Sequence, residues 1–482
     1  MLKAYTITVL FGVIATGYFL KRKNEQAIFY HNQTGSSEEF VNNLDYEAPM
    51  AIDFDKSNRP YIINNTLVGH NLQNGVYQVA TLRNNEWVYY SYKDELEEIF
   101  GNKLYINKDD KMYQGHNASR SCQLMIDDND NLIALIDVMH KTEGDKPRFK
   151  SVVLYARDIG SDGFSGDFIV KDVIPNSATT SVMEVRNGFN DTKEYAPLFV
   201  FLKRQKGFPY KTPEPWAQKS YGQAYVLNGY FDRDELVFNE PVLLDSNIPG
   251  FSNHSGGESF AATKGDHAFI TYTRHDSDPE KDPDGNNAGY IKKFNRKTNK
   301  FEVARKFLFE ATPSFADGHS IPVIAIDQEG YLHIQSGAHA NNPTGPFIKT
   351  KSKNKLDITA WEEAKNIGNG RTYSTLLIDN AGNMHSFFRA GNPYKLRYQI
   401  GDVKNGFTND NGSLFVDQNS EDGYRVYYHH IVKDRKDRIF ISWTPNSGAD
   451  YETWDFRRVL AMSSNSGKTW KIATKQDFVE GF

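Results

Sequence analysis

After the N-terminal stretch, the apolar positions of this chain show no helical spacing. They fall in short runs, each closed by Asp, Asn or Gly. The stretch Asp317–Arg389 shows the pattern most plainly: DGHSIPVIAIDQEGYLHIQSGAH, a polar connector, then RTYSTLLIDNAGNMHSFFR. Each half holds an apolar run, a short Asp/Gly turn and a second apolar run, with a polar residue at either end. Turns such as Asp327-Gln328-Glu329-Gly330 and Asp379-Asn380-Ala381-Gly382 close antiparallel hairpins. In a hairpin the start of one strand lies beside the end of the next. His319 is therefore expected near His339, and Tyr373 near Arg389.

The same grammar recurs at Ala51–Asn65, Leu124–His140, Met183–Arg204, Ala261–His275, Ile324–His339, Leu376–Arg389 and Ile431–Trp443, seven copies in all. Their uneven spacing suits four-stranded blades with variable insertions. Ser463-Ser464-Asn465-Ser466-Gly467-Lys468-Thr469-Trp470 resembles the Asp-box turn of BNR repeats, with Asn465 in place of Asp. The expectation is an all-β, seven-bladed β-propeller with four-stranded antiparallel blades, one catalytic domain over residues 40–482. Paired β-sandwiches are the weaker alternative. The polar insertion Asp276–Asn287 reads as a loop between blades.

Composition supports this: aromatic residues make up 13% of the 482, and 36 glycines punctuate the chain. A net charge of -5 gives no support to a nucleic-acid partner. The single cysteine, Cys122, excludes a disulfide framework within the chain. Residues 1–26 carry an apolar core from Ala4 to Leu20 followed by Lys21-Arg22-Lys23. They read as a signal peptide, with an uncleaved N-terminal membrane anchor as the rival. The expected localisation is periplasmic or secreted.

Equivalent positions of successive blades converge on one face around a propeller axis. The hairpin ends bring His140, Arg204, His275, His339 and Arg389 to that face, and the hairpin starts bring His116, His254, His319 and Tyr373. A single His at a strand end is more often hydrogen-bonded than catalytic. Repetition at equivalent positions is what singles these out. His333 and His385, inside strands, are assigned to packing, and His267 to a turn without a role. His70, His429 and His430 are not assigned. No metal site is expected from the histidines, which lack helical spacing and a carboxylate partner. No cofactor is required, and a structural calcium is left open at Asp282-Pro283-Asp284-Gly285-Asn286-Asn287, which lacks EF-hand spacing.

A guanidinium such as Arg389 can neutralise a carboxylate, which acidifies the hydrogen on the adjacent carbon. A His near neutrality can take that proton, and a Tyr hydroxyl can protonate the departing oxygen. That set performs β-elimination on a uronic acid. A glycoside hydrolase would need two facing carboxylates, and no recurring acidic pair is found.

The segment from His319 to Arg389 resembles the BNR-repeat family that includes the propeller-fold ulvan lyases. The shared pattern is Gly/Asp-His before a Pro, Ile-Asp-x-x-Gly-Tyr-Leu-His, a closing Gly-x-His, then Thr-Tyr and Phe-x-x-Arg. The resemblance implies His319 as base, Tyr373 as acid, His339 and Arg389 on the carboxylate, and Tyr427 or Tyr428 as a further site tyrosine. A second version, with His116, His140, Arg204 and His275, lacks the Tyr, having Thr180 or Ser181 instead. Either blades two to four or blades five to seven hold the site. The expected activity is carbon–oxygen lysis of an acidic, sulfated polysaccharide or oligosaccharide of the ulvan type, with rhamnose and uronate. It would act as a polysaccharide lyase or an oligosaccharide dehydratase. An α-L-rhamnosidase and a non-catalytic carbohydrate-binding propeller are the alternatives.

Overall fold

The structure is a computed structural model. It describes residues 29–32, 51–64, 77–104, 123–141, 147–175, 178–183, 195–204, 222–248, 260–276, 287–310, 321–336, 345–390, 395–407, 412–419, 426–445 and 459–481. The N-terminal segment 1–26, His70 and residues 277–286 of the acidic loop, with the calcium candidates Asp282 to Asn286, lie outside these residues.

Seven antiparallel sheets follow one another in chain order, as the hairpin count requires. Blade 1 runs from Ala51–Phe54 to Glu86–Ser91, and blade 2 from Gln123–Ile126 to Ile169–Lys171. Blade 3 opens with Ala178–Met183, blade 4 with Ala261–Lys264 and blade 5 with Val323–Ile326. Blade 6 opens with Arg371–Thr372 and blade 7 with Val426–Lys433. Four residues ahead of residue 40, Phe29–Asn32, also join the sheet system: they run parallel to Ser413–Asn419 at the outer side of blade 6.

The first strands are buried on both faces, so they read as unbroken apolar runs rather than as alternation. Ala51–Phe54, Gln123–Ile126 and Val323–Ile326 are buried at every position. Apolar layers fill each gap between blades and close the ring. Leu132 and Tyr61 share the layer of blades 1 and 2; Phe199 and Tyr155 that of blades 2 and 3. Val226 and Tyr272 lie between blades 3 and 4, and Phe269 and Ile334 between blades 4 and 5. Ala325 and Met384 join blades 5 and 6; Phe387 and Trp443 join blades 6 and 7. Phe54, Phe440 and Phe478 close blade 7 on blade 1. Among the described residues, no strand is shared across that last seam.

In five of the turns an Asp side chain caps the backbone. Asp55 accepts from the Arg59 backbone N–H at 2.8 Å, Asp127 from Asn131 at 2.9 Å, and Asp327 from Tyr331 at 2.8 Å. Asp379 accepts from Asn383 at 2.7 Å and Asp434 from Arg438 at 2.8 Å. One carboxylate thus satisfies the backbone of a turn that lies at the end of two buried strands. The turns bond to one another around the ring. Lys264 donates to Gln328 O (2.9 Å), the Gln328 amide to Asn380 O (2.5 Å), and Asn380 N–H to Asp437 (3.0 Å). The Asn58 amide reaches Asp434 (3.0 Å), and Lys56 N–H reaches Asp130 (2.8 Å). Arg435 crosses the seam from blade 7. It donates to Phe54 O (3.1 Å) in blade 1, and to Asp128 (2.7 Å) and Ile126 O (2.9 Å) in blade 2.

Two expectations need correction. His275 pairs with Asn287, so the polar insertion joins the second and third strands of blade 4 and does not connect blades. His267 is not in the turn but begins the second strand of blade 4, 3.1 Å from Glu302. The Asn465 turn forms as expected: Asn465 Oδ1 accepts from Thr469 N–H at 2.9 Å, and its amide adds a bond to Thr469 Oγ1 at 2.8 Å. Trp470 then lies edge-on to Phe387, Tyr398 and Phe415.

Candidate active site

The end of the blades opposite the Asp turns carries the starts of the first strands and the ends of the second. Tyr373 and Arg389 meet there, as the hairpin argument requires: the guanidinium lies 4.0 Å from the centroid of the Tyr373 ring. Arg389 is 1% exposed and Tyr373 7%. A cation against the negative face of an aromatic ring is attracted to its quadrupole, more strongly where water is excluded.

Backbone geometry sets this contact. Thr372 pairs with Arg389, but Leu377 pairs with His385, so the first strand of blade 6 carries one residue more than its partner. Tyr373 sits in that bulge with φ 53°, in the left-handed region that a bulky side chain seldom adopts. Bulges re-aim side chains, and this one turns Tyr373 over Arg389. The same one-residue shift occurs between Thr180 and Val182 in blade 3 and between Tyr427 and His430 in blade 7. The described first strands of blades 1, 2, 4 and 5 pair without one.

The other expected residues divide into three groups. His140 and His275 are at the same end of their blades as Arg389. His140 is half-buried, stacked on Phe100 at 5.4 Å, with Nδ1 3.2 Å from Lys141 O. A proton on Nδ1 makes that bond, which leaves the Nε2 lone pair as the acceptor. His275 is fully buried, and beside it Arg274 is engaged by Asp245 (3.4 Å) and Asp276 (3.3 Å). Arg204 and Tyr428 are placed by their backbones, Arg204 opposite Gly222 and Tyr428 within the blade 7 bulge. Counted from the bulge, the residue of blade 3 that corresponds to Arg389 is Phe201, opposite Thr180. Arg204 is three residues further on, because the blade 3 hairpin is longer. His116, His254, His319 and His339 lie outside the described residues.

His333 and His385 have the packing roles expected of them. His333 bonds Asp327 at 2.9 Å; His385 bridges Asp379 (3.2 Å) and the Tyr398 hydroxyl (2.7 Å). Hydrogen bonds from His385 and Asn383 outweigh burial and hold the Asp379 carboxyl below its ordinary range, while burial pushes the Tyr398 phenol up. His429, unassigned from sequence, is fully buried in the blade 7 bulge.

The sequence reading missed Arg371 and Gln399. Arg371 is 2% exposed, donates to Gln399 Oε1 at 2.7 Å, and lies against the rings of Phe388 (4.2 Å) and Phe347 (4.9 Å), which also touch each other. Its local signal was Gly368-Asn369-Gly370-Arg371, two glycines at positive φ just ahead of a buried cation. Among the described residues, no group of three or more His, Cys, Asp and Glu side chains could hold a metal ion.

Residues 268–479, which include Tyr373 and Arg389, match the model of a BNR repeat-containing family member. An ulvan lyase of family PL25 from Pseudoalteromonas sp. (strain PLSV) is 28% identical over 258 residues, 48% of this chain and 49% of that protein. The chain resembles BNR-repeat ulvan lyases. An ulvan lyase from Alteromonas sp. (strain LOR) is 29% identical over 154 residues, 29% of this chain and 30% of its own length. The match therefore spans about half the length of the first ulvan lyase and less of the second. A solved PL25 ulvan lyase bound to -[GlcA(1-4)Rha3S]- superposes with a TM-score of 0.45 at 11% identity, covering 92% of this chain and 97% of that one.

Proposed function

We propose that this protein is a carbon–oxygen lyase that cleaves or dehydrates a uronic-acid-containing, ulvan-like saccharide by β-elimination. The observation that carries the reading is the Tyr373–Arg389 pair, with the cation 4.0 Å from a bulge-presented phenol. A partial likeness to ulvan lyases supports it.

In this mechanism a histidine takes the proton from C5 of the uronate, and the electron pair moves toward the carboxylate. The C4–O bond breaks, and the Tyr373 hydroxyl gives its proton to the departing oxygen. Arg389, covered by the Tyr373 ring, stabilises the negative charge that develops on the phenol oxygen and adds to the positive field at the substrate carboxylate. His319 is the base the sequence pattern favours, with His339 as a second donor to the carboxylate. Among the described residues His140 is bonded through Nδ1 alone, which leaves Nε2 as the nitrogen a base would use, so the blade 2–4 cluster is the second reading of where the proton goes. The product is an unsaturated uronate, whose conjugated double bond absorbs in the ultraviolet.

Incubation with ulvan, followed by ultraviolet absorbance and mass spectrometry, tests this. Rising absorbance with chain cleavage means a polysaccharide lyase; rising absorbance with loss of water and no cleavage means a dehydratase. Cleavage without absorbance would mean a rhamnosidase-type hydrolase and overturn the proposal, as would retention of the polymer without reaction. Tyr373→Phe removes only the hydroxyl and is expected to lower kcat by about 100-fold or more while leaving folding intact, as loss of a general acid does. Full activity in that variant would move the site to blades 2–4. We further propose export, because a polymer of this kind is met outside the cell; N-terminal sequencing of the extracellular protein after residue 17 or thereabouts checks it. Among the described residues, no helix is long and apolar enough to cross a membrane.

A further inference from the structure

We propose that Arg371 is a positioning residue for Tyr373, holding the bulged segment so that the phenol stays over Arg389; this rests on the reading of Tyr373 as the general acid. A tyrosine at φ 53° does not keep that conformation unaided. Something on either side must fix the chain. Behind the bulge, Thr375 does so: its N–H donates to Phe387 O at 2.9 Å, and Phe387 N–H donates to Thr375 Oγ1 at 3.3 Å. Ahead of the bulge the anchor is Arg371.

Its guanidinium donates to Gln399 on the third strand of blade 6 and lies against Phe347 of blade 5, so one side chain ties the first strand both to its own sheet and to the neighbouring blade. Gly370 N–H makes the second link to blade 5, at 2.8 Å from Gly345 O. Gly368, at φ 145°, leaves the guanidinium the space that any Cβ would fill. A methionine or leucine would pack against the two phenylalanine rings without the desolvation cost of a buried charge. The planar fork adds what an apolar side chain lacks: one fixed orientation, bonded to Gln399 and set against the Phe388 and Phe347 rings. That orientation is transmitted over two residues to Tyr373.

The test uses the full chain and the variants Arg371→Met, Arg371→Lys and Gln399→Ala. Turnover on ulvan gives kcat and KM, and a ring-13C tyrosine spectrum, with the Tyr373 line identified by its loss in Tyr373→Phe, reports the ring directly. Small displacements of a catalytic group cost up to about 100-fold. Arg371→Met is expected to lose about that much in kcat with KM within about twofold of wild type, and its Tyr373 line is expected to broaden or double. Arg371→Lys restores part of kcat and a sharper line. Wild-type kcat with a single unchanged Tyr373 line in Arg371→Met overturns the inference. So does a joint collapse of kcat, KM and the melting transition in that variant when Gln399→Ala, still folded, keeps wild-type kcat and line. If the wild-type protein eliminates no acidic polysaccharide, the functional reading fails, and the Tyr373 line alone still decides whether Arg371 positions the ring.

Discussion

Replacing Arg435 by alanine removes a side chain that links blade 7 to blades 1 and 2. The guanidinium is mostly buried, at 19% exposure, and Asp128, its ionic partner, is 42% exposed. That ion pair is therefore worth less than about 1 kcal/mol. The bonds to Phe54 O and Ile126 O are charge-assisted and better shielded, at about 1.5 kcal/mol each before any discount for water. A net loss of about 2–3 kcal/mol follows, at the links from blade 7 to blades 1 and 2. Urea unfolding followed by tryptophan fluorescence gives the total. Native-state hydrogen exchange gives the location: amides around Phe54 and Phe440 should lose protection, while those around Ile324 in blade 5 should not. Arg435→Met keeps the apolar stem and isolates the polar contribution. An Arg435→Ala midpoint within about 0.5 kcal/mol of wild type, or protection lost evenly around the ring, would refute the reasoning.

Three other outcomes follow from burial and backbone shape. Burial between blades 5 and 6 pulls the Lys349 ammonium down to about 8. Because its folded value lies below the unfolded one, the charge costs stability below pH 8, and the cost fades as pH rises toward the unfolded value. Lys349→Met should therefore stabilise the protein near pH 7 by about 1–2 kcal/mol, after discounting for partial exposure, and less at pH 10. A pH series of urea midpoints checks it. The Asp379 carboxyl is held low, so its stabilising contribution is present above its unfolded pKa and is lost as pH falls through the folded one. Asp379→Asn should flatten the acid side of the stability profile. Gly467, at φ 77°, has no room for a Cβ against the Tyr398 hydroxyl and His385. Gly467→Ala should cost about 2–4 kcal/mol from strain and overpacking together, measured by the same unfolding assay.

Five of the hairpins were legible because each depends on a local device, an Asp whose carboxylate caps its own turn, and because strands buried on both faces leave unbroken apolar runs. Asn465 was legible for the same reason: an amide oxygen can stand in for a carboxylate toward Thr469 N–H. The meeting of Tyr373 and Arg389 was read correctly from hairpin logic alone. The bulge that aims them was not, since a tyrosine at positive φ has no marker such as Gly or Asn. Arg204 was equated with Arg389 because both close a second apolar run; only the register, with Phe201 opposite Thr180, separates them. The loop after His275 was assigned between blades because polar insertions have the same composition within a blade as between blades. Arg371 escaped notice because its partners, Gln399 and Phe347, are distant in sequence.

Phe29–Asn32 has a practical bearing on handling the protein. These four residues pair in parallel with Val416–Asn419 on the outer strand of blade 6. A version trimmed to begin at the first blade would leave that strand with a bare row of amide donors and acceptors. Such an edge is a template for another chain. Trimming would open the protein to self-association through blade 6, on the flank of the blade that carries Tyr373.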